Sequence, residues 1–247
     1  MKINEILKDT LDICRRNLIL FVPMLAAILV VGLLTLIIAG SAVPLIGAFD
    51  PGLAGDGATP ESALAGTQAI IRGLMVLMIL SALVIFFAHG MTLGMANDAI
   101  QGRPVSLRDG WRDTLERMVS LAIAVILTGL LVGIGTALFI LPGLILGFFL
   151  MFTFAAIMVD GKDALQAFRT SIRVVLSHFG TVFVLFLVMV ALGALNWLVL
   201  RVVGRVPVAG PILTILIGAA FGAYLTVFLL QAYLILRETP STPSAEA

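Results

Sequence analysis

Few side chains in this sequence could carry out chemistry. The chain has two histidines, His89 and His178, and one cysteine, Cys14. A nucleophile needs a neighbouring base and an orienting group, and a catalytic metal needs several ligands close together. No CxxC, HExxH, GxSxG or phosphate-loop spacing occurs in the sequence. The sequence therefore predicts no enzyme, no catalytic residue, no cofactor and no metal, and Cys14 is expected to be a small packed side chain.

Three polar residues interrupt long apolar runs, and they are the candidate lining of a polar cavity. They are His89, Asn196 and Gln231. Polar side chains inside a membrane usually face the interior of a helix bundle or a water-filled cavity. Two interpretations stay open: hydrogen bonds between packed helices, or the polar wall of a substrate site.

Three arginines in charged segments beside apolar runs are candidate contacts for anionic lipid: Arg112, Arg169 and Arg173. Each Lys or Arg close to an anionic membrane surface contributes about 1 kcal/mol of attraction. The alternative is that these segments only anchor the neighbouring helices. The sequence has no basic patch interleaved with aromatic residues, so no nucleic-acid partner is expected.

The elements that must position these residues are membrane helices. Hydrophobic residues make up 61% of the 247 positions and charged residues 12%, which leaves too little polar surface for a soluble domain. Runs of about 20 apolar residues are long enough to cross a bilayer. The sequence predicts one membrane domain over residues 1–238, with spans at 18–39, 70–94, 118–140, 143–159, 179–200 and 211–236.

The stretch FILPGLIL, residues 139–146, lies inside a run without charge between Arg117 and Asp160. One helix over 118–159 would be about 63 Å long, about twice the hydrocarbon core. Pro142 disfavours a continuous helix, and Gly143 tolerates a tight turn. We therefore expect two spans joined at Pro142-Gly143.

The basic residues support six spans. With six, one side of the membrane receives Lys2, Lys8, Arg15, Arg16, Arg103, Arg108, Arg112, Arg117, Lys162, Arg169, Arg173 and Arg237, and the other receives Arg72, Arg201 and Arg205. Basic residues concentrate in cytoplasmic segments. We expect a multi-pass protein of the cytoplasmic membrane with both termini in the cytoplasm.

A short pattern recurs three times, each time before a pair of spans, in NEILKDTLDICRR, SLRDGWRDTLERM and DALQAFRTSIRVV. Alignment places Thr10, Thr114 and Ser171 at one position, with an apolar residue and a base shortly before them. The helical spacing of apolar residues in these segments is typical of helices lying in the membrane interface. The expected fold is an all-α membrane protein: six transmembrane helices in three hairpins, each preceded by an interfacial amphipathic helix.

Two segments outside the spans are expected to lack regular structure. Residues 40–67 are rich in Gly, Pro and Ala and carry acids but no base, which predicts a loosely ordered loop on the outer side. Ser106, and Asp160 or Asp163, are candidate N-caps of the second and third amphipathic helices. Residues 239–247 are predicted to form a disordered tail.

The segment DGKDALQAFRTS, Asp160 to Ser171, follows LPGL by about 20 residues and resembles a family of six-span membrane proteins. The family includes the DUF4013 and DUF975 type and the membrane domain fused to some glycerophosphodiester phosphodiesterases. In it an outer Pro-Gly turn precedes an inner loop with an alanine and a serine, which Ala164 or Ala167 and Ser171 match here. The phosphodiesterase activity of fused relatives belongs to a soluble barrel, so the resemblance implies membrane anatomy and no catalytic residue.

Two functions remain open at this point. The first is a non-enzymatic scaffold, assembly or regulatory protein, with the bilayer, anionic lipid and a membrane-protein partner or a second copy as its contacts. The alternative is a transporter or lipid-handling protein with a cavity between the repeats. Convergence of His89, Asn196 and Gln231 on one cavity would favour the alternative.

Overall fold

The structure is a computed structural model that describes residues 3–47, 60–207 and 209–239. Within these ranges the regular structure is helical, without strands. A short 3-10 helix, Leu18–Phe21, joins α1 to α2. The α-helices are α1 Ile3–Arg16, α2 Val22–Gly47, α3 Pro60–Ile100, α4 Leu107–Glu116, α5 Met118–Leu138, α6 Ile140–Leu150, α7 Thr153–Asp160, α8 Ala164–Ser177, α9 Phe179–Val203 and α10 Ala209–Glu238.

Six helical segments are long and apolar enough to cross a membrane: Leu18–Ile38, Ile71–Ile100, Met118–Leu138, Ile140–Asp160, Phe179–Val203 and Ala209–Glu238. They follow one another as three hairpins. The amphipathic helices α1, α4 and α8 precede the first, second and third hairpin. The predicted fold class is confirmed. We call the end of the spans beside α1, α4 and α8 the basic end.

The break inside FILPGLIL lies at Phe139, three residues before the predicted turn. Phe139 is extended (φ −156°, ψ 145°) and separates α5 from α6. Pro142 falls in the first turn of α6, where backbone N–H groups have no helical partner and proline costs little. The two helices approach closely at Gly135 and Gly143, since a Cβ on Gly135 would lie 3.0 Å from the Gly143 Cα.

The prediction that residues 40–67 form a loosely ordered loop is wrong at both ends. Helix covers residues 40–47 and 60–67 of the predicted outer loop, because its Ala, Ser and Leu are compatible with helix and Pro60 starts α3 at a position that tolerates proline. The rest of that loop, 48–59, lies outside the described residues. So does the predicted tail beyond Thr239, whose backbone N–H still bonds the Ile235 carbonyl.

The chain divides into two compact units. One comprises residues 26–85, the greater part of the first hairpin, in which Gly73 faces Ile38. The other combines residues 1–25 with 86–247 and contains the three amphipathic helices and the core described below.

The core of this second unit is built from the basic-end halves of α3 and α10 together with α7. Each pair is in contact. The Phe86 and Phe154 rings join α3 to α7 at 5.0 Å, and the ring of Phe152, the N-cap residue of α7, lies 5.7 Å from the Tyr233 ring of α10. A hydrogen bond from His89 joins α3 to α10. We call these three segments, residues 86–100, 153–160 and 222–238, the central triad.

Each amphipathic helix packs on one member of the central triad. Gly110 of α4 lies so close to α3 that a Cβ would approach the Met95 Cγ to 2.7 Å. Ser171 of α8 bonds the start of α7, and Thr10 of α1 bonds α10. Each helix therefore contacts the second span of the preceding hairpin, and α1 contacts that of the last.

The repeated hydroxyl position explains how the amphipathic helices sit. Thr10, Thr114 and Ser171 are all 0% exposed. The residues four positions away on either side are also buried in α1 (Ile6 and Cys14) and in α8 (Ala167 and Val175), and in α4 the preceding one, Gly110, is buried. A stripe of residues four apart faces one side of a helix. The repeat thus marks the face that packs on the central triad, while Leu11, Leu115 and Ile172 next to it are exposed.

The fourth span is broken at Met151-Phe152, where one continuous helix over 143–159 was predicted. Ser171 of α8 hydrogen-bonds backbone groups on both sides of this break. Its hydroxyl donates to the Phe149 carbonyl at 2.7 Å and accepts from the Phe152 N–H at 3.1 Å. An unpaired backbone group costs free energy in an apolar setting, so the hydroxyl stabilises a kink that packing of α7 requires.

We expect Ser171→Ala to lower the free energy of unfolding by about 2 kcal/mol, because it leaves a buried N–H and a buried carbonyl unpaired. Thermal or denaturant unfolding of the purified protein in detergent measures the change. Thr170→Ala is the matched control, since the neighbouring Thr170 bonds only the Gln166 carbonyl of its own helix. The control should change stability by less than about 0.5 kcal/mol. Equal losses for both variants would contradict this account.

Candidate functional site

The most connected polar site in the described chain is an ionic cluster formed by Asp160, Lys162, Tyr233 and Arg237. Asp160 ends α7, and Tyr233 and Arg237 are one turn apart near the end of α10. The chain turns at Gly161, whose left-handed backbone (φ 65°) suits glycine. This turn brings the Lys162 side chain back to the Asp160 carboxylate.

Both oxygens of the Asp160 carboxylate are engaged. Oδ2 accepts from the Tyr233 hydroxyl at 2.6 Å and from Lys162 Nζ at 2.8 Å. Oδ1 accepts from Arg237 Nη1 at 2.5 Å. The carboxylate side chain is only 10% exposed, whereas Lys162 and Arg237 are 32% and 38% exposed. The cluster can tie α7 to α10; a carboxylate held by three donors is poorly placed to act as a base.

A second arginine closes the end of α7. Arg117, between α4 and α5, donates from Nη1 to the Ile157 carbonyl at 3.1 Å. The last carbonyls of a helix have no helical partner and carry partial negative charge, so a cation there is favourable. Two arginines therefore hold the end of α7: Arg117, which precedes α5, and Arg237, which lies in α10.

The sequence signal for this cluster is only partial. Asp160 was a candidate N-cap of α8; it is instead the last residue of α7. Asp163 occupies the N-cap of α8, and Ser106 that of α4, and neither makes a side-chain capping bond. Tyr233 and Arg237 were missed. Their four-residue spacing at the end of the last apolar run could have shown that they share a helix face.

The three predicted cavity residues are not brought together. His89 Nδ1 lies 2.9 Å from Thr226 Oγ1; because that hydroxyl donates to the Gly222 carbonyl, the ring nitrogen is the donor. Gln231 Oε1 accepts from Thr10 Oγ1 at 2.6 Å.

Asn196 lies seven residues from the end of α9 that is opposite the basic end, whereas Gln231 lies seven residues from the basic end of α10, so the two differ in their position along the bundle. Asn196 makes no side-chain hydrogen bond within the described residues. His89 and Gln231 therefore join helices of the second unit, and the described contacts do not assemble the three into one site.

The predicted lipid-contact arginines lie on the exposed faces of α4 and α8. Arg112 is engaged along its own helix, with Nε 3.0 Å from Glu116 Oε1. Arg169 and Arg173 form no ion pair within the described part of the chain.

Cys14 is 2% exposed on the packed stripe of α1. Burial raises the pKa of the Cys14 thiol from 9.0 to about 11, so the thiol is protonated and unreactive at neutral pH. The described residues contain no group of three or more His, Cys, Asp or Glu that could hold a metal ion.

We expect Asp160→Asn to lower the free energy of unfolding by about 2 to 3 kcal/mol, because the amide loses the charge and turns an N–H₂ group toward donors. Asp98→Asn is the control. Asp98 pairs with Arg103 at 2.6 Å, but Arg103 is 54% exposed, and exposed pairs contribute about 0.5 kcal/mol. Unfolding in detergent of both variants and of wild type measures the difference. If Asp98→Asn were as damaging as Asp160→Asn, the cluster would have no special structural role.

Comparison with known proteins identifies a family. No curated protein and no solved structure matches the chain. One family model, described as a domain of unknown function (DUF7847), matches twice, at residues 1–137 and 128–237. Two matches to one model accord with the internal repeat seen in the amphipathic helices. The two segments together cover nearly the whole chain, and the protein therefore belongs to the DUF7847 family.

Proposed function

We propose that the protein is a non-enzymatic scaffold or assembly partner of the cytoplasmic membrane, with both termini in the cytoplasm. The observation that carries the proposal is how the polar groups are used. Thr10 with Gln231, His89 with Thr226, and the ionic cluster all join one helix to another. Groups consumed in such contacts stabilise an arrangement of helices and leave little to bind or transform a solute.

The exposed surface at the basic end supports a contact role. Trp111 of α4 is 51% exposed beside Arg108 and Arg112, and Leu115 lies on the same helix. Aromatic and arginine side chains are enriched where proteins bind one another. We therefore place the partner, a membrane protein or a second copy of this chain, at α4.

The alternative, a transporter or lipid-handling protein, is favoured by one observation. The fourth span is discontinuous, and broken helices line binding sites in many transporters. Here the Ser171 hydroxyl already pairs the Phe149 carbonyl and the Phe152 N–H at the break. These two groups are therefore not free to bind a solute, and the argument for transport is weaker.

The finer relationship to the DUF4013 and DUF975 type also stays a proposal. What supports it is that Ala167 and Ser171, which match that family's inner loop, are both 0% exposed and pack on the central triad.

A complementation experiment separates scaffold from transporter. In cells lacking the gene, a scaffold's loss should alter the native-gel migration or amount of at least one membrane complex. Asn196→Leu and Asn196→Ala should each restore it fully, because Asn196 makes no side-chain hydrogen bond within the described residues and lies away from α4. The double variant Arg108→Gln/Arg112→Gln should restore it poorly at equal expression. The reverse result, loss with the span variants and rescue by the arginine variant, would favour transport.

Labelling tests the proposed orientation. In a Cys14→Ala background, Phe139→Cys should react with a membrane-impermeant maleimide in intact cells, because Phe139 is 74% exposed at the outer turn. Arg108→Cys, exposed at the basic end, should react only after the membrane is opened. Labelling of both cysteines after the membrane is opened is the control, because it shows that each site is reactive once the reagent can reach it. Labelling of Arg108→Cys in intact cells would contradict the proposed orientation, because it would place the basic end outside the cell.

A further inference from the structure

An apolar groove of about 320 Å³ runs between α5, α6 and α8. Its lining includes Leu131 of α5, Leu146 and Phe149 of α6, and Phe168, Ile172 and Leu176 of α8. Ile172 is 38% and Leu176 60% exposed, so the groove opens to the outside of the bundle. Two of its walls belong to segments that span the membrane. In a bilayer these walls would face acyl chains, and an apolar groove disfavours a water-soluble ligand.

Two arginines of α8, Arg169 and Arg173, lie beside the wall that α8 contributes to the groove. At about 100° per residue, Ile172 and Leu176 form one stripe on α8, and Arg169 and Arg173 form the next stripe, farther from the buried face. Both arginines are exposed and form no ion pair with the described residues. An exposed guanidinium with no acidic partner is well suited to bind a phosphate, to which it can donate two parallel hydrogen bonds.

The apolar groove and the two arginines beside it together indicate which class of ligand binds. A ligand that fills the groove needs a hydrocarbon chain, and one that reaches Arg169 and Arg173 needs an anionic group at the chain's end. An anionic phospholipid has both, while a zwitterionic one lacks the net charge. We propose that the groove seats an acyl chain of an anionic phospholipid whose headgroup phosphate binds Arg169 and Arg173. The site lies on α8 and is independent of the scaffold surface proposed on α4.

The internal repeat supplies a matched control. Arg112 occupies on α4 the position that Arg169 occupies on α8, but it is paired with Glu116. The same charge change on the same side of the membrane can therefore be made away from the groove.

The experiment is native mass spectrometry of the full-length protein in detergent. It is titrated with phosphatidylglycerol and phosphatidylcholine that carry identical acyl chains. We expect one molecule of phosphatidylglycerol to bind more tightly than phosphatidylcholine. Arg169→Gln and Arg173→Gln should each weaken that binding about fivefold, and the double variant about thirtyfold. Arg112→Gln should change it by less than about twofold.

A second variant tests the chain seat apart from the charge. Leu176→Trp adds bulk at the exposed rim of the groove and should weaken both lipids, keeping their ratio. Each variant must unfold at the wild-type temperature to be scored.

Equal binding of the two lipids by wild type would overturn the proposal. The proposal would also fail if the double variant Arg169→Gln/Arg173→Gln bound phosphatidylglycerol as tightly as Arg112→Gln does. It would fail as well if Leu176→Trp bound both lipids as tightly as wild type. Displacement of the lipid by excess inorganic phosphate alone would show a surface anion site without a chain seat. If a second copy of the protein bound instead, and Leu176→Trp abolished that association, the groove would be a surface for protein contact and the proposal would be overturned.

Discussion

The structure depends on one constraint: three helix ends pack against one another where few polar groups can be left unpaired. The basic-end segments of α3, α7 and α10 bury residues such as Met95, Ile157 and Phe228 almost completely. Around this central triad the polar groups described above are paired across helices. Ser171 contributes to this packing, because its hydroxyl pairs the Phe149 carbonyl and the Phe152 N–H at the break that precedes α7. The ionic cluster contributes as well, since it closes the open end of the same helix.

The amphipathic helices have two apolar surfaces with different roles. The stripe around Thr10, Thr114 and Ser171 packs on protein, and the neighbouring stripe around Leu11, Leu115 and Ile172 is exposed. A hydrophobic pattern with helical period predicts one broad apolar face and cannot divide it. The division matters, because the neighbouring stripe, unlike the packed one, is exposed to the surroundings of the protein.

The sequence predicted what depends on composition and length: an all-α membrane protein, six spans, and three amphipathic segments. It failed where distant residues decide. Asp160 lies 73 positions from Tyr233 and 77 from Arg237, so no local spacing shows that they meet. The break at Met151-Phe152 lies in an uninterrupted apolar run and is set by Ser171, in another helix. The helical ends at 40–47 and 60–67 were missed because Gly and Pro were taken as loop signals, although Pro60 sits where a helix begins.

The bond between Thr10 and Gln231 has a consequence for how the chain matures. The two residues are 221 positions apart. At typical rates of synthesis, roughly 10 to 45 s separate their emergence from the ribosome. For that interval the packing stripe of α1 has no α10 to cover it, while α4 and α8 find their partners in the helices just made. Closure of α1 on α10 therefore requires the last span to be in place, and until then the packing stripe of α1 stays uncovered.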